Sequence, residues 1–293
     1  MPPSPPRRRL VGVSTKMYFS FARTTEYVAT LVRLLSELPP EALAALRDVD
    51  VFVIPDHVAL TSVVARLRDS PVPVLVGAQD ASHEDAGAFT GEVSPAVLAE
   101  VGCRVLELGH AERRRLFGET DATTARKAAA AARNGLVPLV CVGERTRPSP
   151  LSSSSPSTSR DRNAENEAEE AEEEWELELD PQAALPEIRA QVEAVLAAVP
   201  DAADVVLAYE PVWAIGAAAP APPAYVVAVA RAIRDLECVR RRPAGGSTRI
   251  LYGGSAGPGL FAGLADGVDG LFLGRFAHDP ERFVETILEV ATA

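Results

Sequence analysis

The chain has 293 residues, 47% hydrophobic and 24% charged, enough to bury a full core of the size of a single α/β domain of roughly 250 residues. Three cysteines (Cys103, Cys141, Cys238) sit far apart and the four histidines are equally scattered, so neither a disulfide framework nor a metal site is expected, and no cofactor is called for. The formal charge of -12 is local: residues 161–180 hold eleven acids against Arg162, leaving only two of the twelve net negative charges for the rest of the chain, so nucleic acid is not an expected partner.

In chain order, MPPSPPRRRL has no apolar h-region and reads as an extension, disordered over residues 1–9, rather than a secretory signal. No later stretch is long enough to span a bilayer, so no membrane partner is expected, and a reducing, cytoplasmic setting fits best. Short β-rich apolar runs then recur between alanine-rich amphipathic segments: 10–14, 51–55, 73–78, 104–108, 137–142, 204–209, 249–252 and 270–273. Eight strands alternating with helices predict an α/β fold, a single-domain (β/α)8 barrel over 10–293. A doubly wound open sheet shares the alternation, but the turn after 10–14 lacks the Gly-rich phosphate loop such a sheet normally carries. After the fifth run, residues 146–180 break the pattern with a Pro/Ser stretch (PSPLSSSSPSTS) followed by a Glu-rich block. This segment predicts a disordered insertion within the barrel, either a tolerated loop expansion or a regulatory tail whose serines are phosphorylated.

Most runs end in polar or glycine-containing clusters: Ser14-Thr15-Lys16 after the first, Gly109-His110-Ala111-Glu112 after the fourth, Glu210-Pro211 after the sixth and Gly253-Gly254-Ser255 after the seventh. In a barrel these ends open on one face and converge there. Moving a proton between adjacent carbons of a hydroxy-carbonyl compound needs a carboxylate base, a donor that polarises the carbonyl, and an anion cradle for a phosphate handle. Glu210 is the candidate base, although alone it reads as well as a helix cap or rim ion pair. His110 precedes an Arg-rich helix start whose backbone N–H groups oppose protonation of the ring, and a neutral imidazole there donates a hydrogen bond. Lys16 brings a positive charge to the mouth; by itself it is a surface lysine. Gly216, Ser255 with its two glycines, and Gly274 with Arg275 supply backbone donors from three separate loops, as a phosphate site without metal requires.

LGHAERRRLFGETD, LAYEPVWAIG, YGGS and GAFTGEVSP closely resemble active-site and interface motifs of the triosephosphate isomerases, in order and at the ends of the right strands. The resemblance covers nearly the whole chain outside the insertion and implies a TIM barrel. It also implies that Glu210 removes the carbon-bound proton, neutral His110 polarises the carbonyl and shuttles protons, and Lys16 steadies negative charge, a division of roles that belongs to the family and is carried over from it. Residues 211–219 are implied to be a lid over the phosphate, with Gly216 donating a backbone N–H. Glu112 is implied to pair with the lysine or hold the loop, and Cys141 and Glu144, in VCVGE, to support the site without doing chemistry. Family members are usually dimers, which makes the stretch 80–95 a dimer loop with Thr90 as its reaching residue. Small phosphorylated sugar is the implied substrate class.

Departures from the pattern bear on the substrate. The usual Asn-Trp-Lys-Met-Asn is Ser14-Thr15-Lys16-Met17-Tyr18; the serine after the histidine is Ala111; the lid ends Ala217-Ala218-Ala219 instead of Thr-Gly-Lys; and Gly-Gly after strand eight is Gly274-Arg275. The family resemblance puts triose phosphate first. Ser14, Gly274-Arg275 and the LGRFAH context resemble instead the L-erythrulose-1-phosphate isomerases, a branch with the same mechanism and a four-carbon substrate. A catalytically weak scaffold is the third reading, against which stands the retention of Lys16, His110 and Glu210 together.

Overall fold

In the computed structural model, the described residues are 8–150, 179–217, 219–242 and 246–293. Eight parallel strands close into a barrel in sequence order: β1 (Arg9–Ser14), β2 (Val49–Ile54), β3 (Val74–Ala78), β4 (Val105–Leu108), β5 (Val137–Val142), β6 (Val205–Tyr209), β7 (Thr248–Tyr252) and β8 (Gly270–Leu273). The ring closes where Leu10 to Val13 of β1 pair with Gly270 to Leu273 of β8. Around it run α1 (Phe21–Ser36), α2 (Pro40–Ala45), α3 (Leu60–Leu67), α4 (Pro95–Glu100), α5 (Ala111–Phe117), α6 (Asp121–Arg133), α7 (Pro181–Ala198), α8 (Pro223–Asp235), α9 (Glu237–Arg240) and α10 (Pro280–Thr292).

The strands read as continuous apolar runs because both faces are buried. Leu10, Phe52, Ile54, Val105, Leu139, Val206, Leu251 and Phe272 fill the barrel interior. Their neighbours in sequence, such as Val11, Val51, Val53 and Val140, form the layer between barrel and helices. Gly12 is an inward position that has to stay empty: a Cβ there would lie 2.2 Å from the Phe52 ring, so the glycine is what lets that phenylalanine plug the barrel. The helices present one stripe to this sheet. In α1, Thr24, Tyr27, Val28, Leu31 and Leu35 recur at helical spacing and are buried, and the Ser20 hydroxyl caps the helix by accepting from the Arg23 N–H.

The first strand starts at Arg9, inside the stretch expected to be an extension, and Arg8 already pairs with Asp50 at 2.6 Å, because the ladder to Val49 and this ion pair hold both residues. Residues 1–7 lie outside the described residues. The bulk of the expected insertion, 151–178, does too; its ends are tied together by an antiparallel bridge between Pro150 and Leu179 and by the Asp180 N–H donating to the Ser149 carbonyl. Among the described residues no helix is long and apolar enough to cross a membrane.

Candidate active site

Glu210 follows β6 directly. Its N–H donates to the Val142 carbonyl at 2.8 Å, which extends the ladder by one residue and turns the carboxylate into the barrel, where it is 4% exposed. Gly253, after β7, makes room for it, since a Cβ there would come within 2.6 Å of the carboxylate. Burial is the main cause that pushes the Glu210 carboxyl up to about 8; the Lys16 ammonium opposes this and the neighbouring Glu107 adds to it. One carboxylate oxygen, Oε2, has no hydrogen-bond partner and faces His110 Nε2 at 3.5 Å.

His110 is the N-cap of α5, and its Nδ1 accepts from the Glu112 N–H at 3.1 Å. That bond assigns the ring proton of the neutral tautomer to Nε2, the nitrogen on the Glu210 side. Burial foremost, and then the Lys16 charge, lower its pKa to about 4, against the pull of Glu112, so the ring is neutral at physiological pH. Behind it, Asp80, Arg113, Glu119 and Lys127 form a charge-paired network that fixes α5 and α6: Arg113 and Lys127 both reach Asp80 at 2.8 Å, and both also bind Glu119.

Lys16 sits just beyond β1 with φ 47°, the sole positive value of a non-glycine among the described residues, and its carbonyl is held by the Gln79 side-chain amide at 2.8 Å. Its ammonium donates to Glu112 at 2.9 Å and lies 3.3 Å from His110 Nε2. Burial works against the charge, but the hydrogen bond to Glu112 and the field of Glu210 and Glu107 outweigh it and leave the pKa raised. The expected pairing of Glu112 with the lysine is therefore present in the structure. Lys16, His110 and Glu210, from β1, β4 and β6, form one continuous cluster.

The stretch after Glu210 is pinned at both ends. Glu144, after β5, accepts hydrogen bonds from the Trp213 indole at 2.7 Å, the Tyr225 hydroxyl at 2.9 Å and the Tyr209 hydroxyl, while its carbonyl accepts from the Val212 N–H. At the far end the Ala221 N–H donates to the Tyr252 hydroxyl at 3.1 Å. Between them, Ser255 donates its hydroxyl to the Ala214 carbonyl at 3.2 Å, and Gly216, at φ 76°, has the Arg275 guanidinium 3.9 Å from where its Cβ would be. Gly216, Ser255 and Arg275 are thus gathered on the β6 to β8 side of the mouth, with Gly274 at the end of β8 next to Arg275. Ala218 lies outside the described residues.

Cys141 faces inward on β5, in the barrel interior below Glu210; burial pushes its pKa well up, so it remains a thiol. Thr90 lies exposed in the loop after β3, outside this cluster. Ser14 ends β1, is buried, and donates its hydroxyl to Glu107 Oε2 at 2.9 Å. Glu107 escaped the sequence reading. The available signal is an acid at an inward register of the run Val105–Leu108, two residues beyond the inward Val105. Tyr209 and Tyr252 escaped as well, since inside apolar strands they read as core.

An eight-stranded barrel with a buried carboxylate, a neutral imidazole and a lysine gathered at the C-terminal ends of its strands places the chain in the class of α/β barrels whose loops carry the functional groups. The triosephosphate isomerase family model matches residues 9–150 and 168–290. The chain is 44% identical over 280 residues to an L-erythrulose-1-phosphate isomerase of Pectobacterium atrosepticum, covering 94% of this chain and 93% of the relative. It is 37% identical over 283 residues to a triosephosphate isomerase of Chloroflexus aurantiacus, with 95% and 97% covered. A Rhizobium etli L-erythrulose-1-phosphate isomerase is 38% identical over 292 residues, with 97% and 92% covered. The chain belongs to the triosephosphate isomerase family.

Proposed function

We propose that this protein is a sugar-phosphate isomerase that moves a carbonyl group by one carbon through an enediolate. The observation that carries this is the cluster of Glu210 Oε2, His110 Nε2 and Lys16 Nζ, linked by separations of 3.5 and 3.3 Å. The Glu210 carboxylate takes the proton from the carbon next to the carbonyl. The carbonyl electron pair moves onto oxygen, and His110 Nε2–H and Lys16 hold the resulting enediolate. His110 passes a proton from one enediolate oxygen to the other, and Glu210 returns its proton to the neighbouring carbon. Backbone donors of Gly216, Ser255, Gly274 and Arg275 hold the phosphate. The stretch 211–219 is the lid that keeps water from the enediolate and so suppresses loss of phosphate.

For the substrate we favour the four-carbon L-erythrulose 1-phosphate over a triose phosphate. The 44% identity to an enzyme of that name supports this, as does the short Ser14 where the family normally has an amide. This substrate carries one hydroxymethyl group more, at the end remote from the phosphate. Triose phosphate is the second reading, supported by the Chloroflexus relative and by a proton-transfer cluster that is indifferent to chain length. Comparing kcat/KM on L-erythrulose 1-phosphate and on dihydroxyacetone phosphate tests the choice: a preference for the tetrulose is expected, and a preference for the triose overturns it. A homodimer in which the loop around Thr90 reaches the partner belongs to the same proposal, supported by the exposure of Met17 and Phe89.

A further inference from the structure

Glu107 is a carboxylate that the proton-transfer cluster does not use. It occupies an inward register of β4, 3% exposed, beside apolar inward residues such as Val105 and Leu139, with Ser14 and Glu210 as polar neighbours. The hydrogen bond that holds it comes from a neutral hydroxyl, Ser14 Oγ at 2.9 Å. The nearby Lys16 ammonium is engaged by Glu112. A buried acid without its own cation is costly, and an aliphatic side chain would fill the space at no such cost. Structural need therefore does not explain this residue.

Its position in the ring supplies a reason. In the closed order β1 to β8, β4 lies across the barrel from β8. The phosphate cradle draws on the loops after β6, β7 and β8, so a sugar phosphate anchored there runs its carbon chain across the mouth toward β4, where Ser14 reaches over to Glu107. The geometry points to Glu107, steadied by Ser14, as a specificity-determining residue that hydrogen-bonds the hydroxyl of the additional hydroxymethyl group of a four-carbon substrate. This rests on the tetrulose reading of the preceding section. A triose phosphate has no group to offer at that point, and a site built to bind a hydroxyl discriminates against the analogue that lacks it. Burial, opposed by the Ser14 hydrogen bond and the Lys16 charge, pushes the Glu107 carboxyl up to about 7, so near neutrality it is available both as donor and as acceptor.

The test compares the full-length wild type with Glu107→Leu and Glu107→Gln, measuring kcat/KM for L-erythrulose 1-phosphate and for dihydroxyacetone phosphate, with circular dichroism to verify folding. The tetrulose-to-triose ratio is expected to fall about tenfold or more in Glu107→Leu and by a smaller factor, at least about threefold, in Glu107→Gln. A ratio unchanged in the folded variants overturns the inference, even if both rates drop together, because a carboxylate acting only through Glu210 or through barrel stability affects both substrates alike. Should Glu107→Leu fail to fold, the near-isosteric Gln variant alone decides on the same criterion. Failure of the substrate reading shows separately, in the wild type, as turnover of the triose without the tetrulose, and that result removes the inference as well.

Discussion

Lys16 carries its ammonium into the site on a left-handed backbone, a conformation that costs a non-glycine residue about 1–3 kcal/mol and persists where the surroundings enforce it, here through the Gln79 amide on its carbonyl. Glu210 and His110 are tuned in opposite directions by burial: the acid up to about 8, the imidazole down to about 4. Two outcomes follow for Glu210. Glu210→Gln is expected to lower kcat by about a hundred- to ten-thousandfold with KM little changed, measured by steady-state kinetics. Because Glu210 has to be ionised to accept a proton, kcat/KM of the wild type is expected to rise with pH through about 8, with no limb from His110, which stays neutral above about 4. The sign for stability is opposite. A carboxyl whose folded pKa exceeds its unfolded value stabilises the fold below the unfolded value and loses that contribution as pH rises through about 8. Thermal melts of Glu210→Gln should therefore exceed wild type at pH 9, with the gap narrowing toward pH 4.5. That Glu210, His110 and Lys16 come together was legible because each stands where an apolar run gives way to a loop, while their roles rested on the family resemblance and not on position. Glu107 was not legible, because one acid inside VLEL leaves the strand signal intact, and its meaning depends on the inward register that the closed barrel imposes.

At the scale of elements, the stretch proposed as the lid is held by anchors outside itself. Tyr252 ends β7 and accepts from the Ala221 N–H; removing its hydroxyl leaves that buried donor unpaired, at a cost of about 1–3 kcal/mol. Tyr252→Phe is expected to lower kcat/KM by about ten- to a hundredfold through a destabilised closed lid, and to raise release of inorganic phosphate per turnover, measured by a coupled phosphate assay. Unchanged kinetics and phosphate release would show that this bond does not hold the closed state. The helices behave more simply. Leu31 is fully buried on the inner stripe of α1, and Leu31→Ala is expected to cost about 2–5 kcal/mol in chemical denaturation without changing the pH profile of activity. Strand positions were legible to within two residues from apolar runs bounded by loops. The resemblance implied only that Glu144 supports the site; the bonds by which it and Tyr252 join β5, β6, β7 and α8 cross gaps in sequence that only the folded barrel closes.

For the whole molecule, the alternation of eight runs, together with the missing Gly-rich loop after the first of them, pointed to a barrel rather than an open sheet, and the chain closes its ring in sequence order. The acidic segment was legible as a break in that alternation, and the family match passes over residues 151–167 within it. Pro150 and Leu179 are bridged, so a short linker in place of 151–178 joins ends that already lie together. That replacement is expected to leave kcat/KM essentially unchanged, and a large loss would give the segment a part in the site. The most direct test of proton transfer through Glu210 is proton NMR of L-erythrulose 1-phosphate incubated with the wild type and with Glu210→Gln in deuterium oxide. The expected result is appearance of the carbonyl-shifted isomer with deuterium on the carbon that exchanges its proton, present with the wild type and lost with the variant. Absence of isomer and of exchange with the wild type, from this substrate and from dihydroxyacetone phosphate alike, would contradict the assignment of this chain as a sugar-phosphate isomerase.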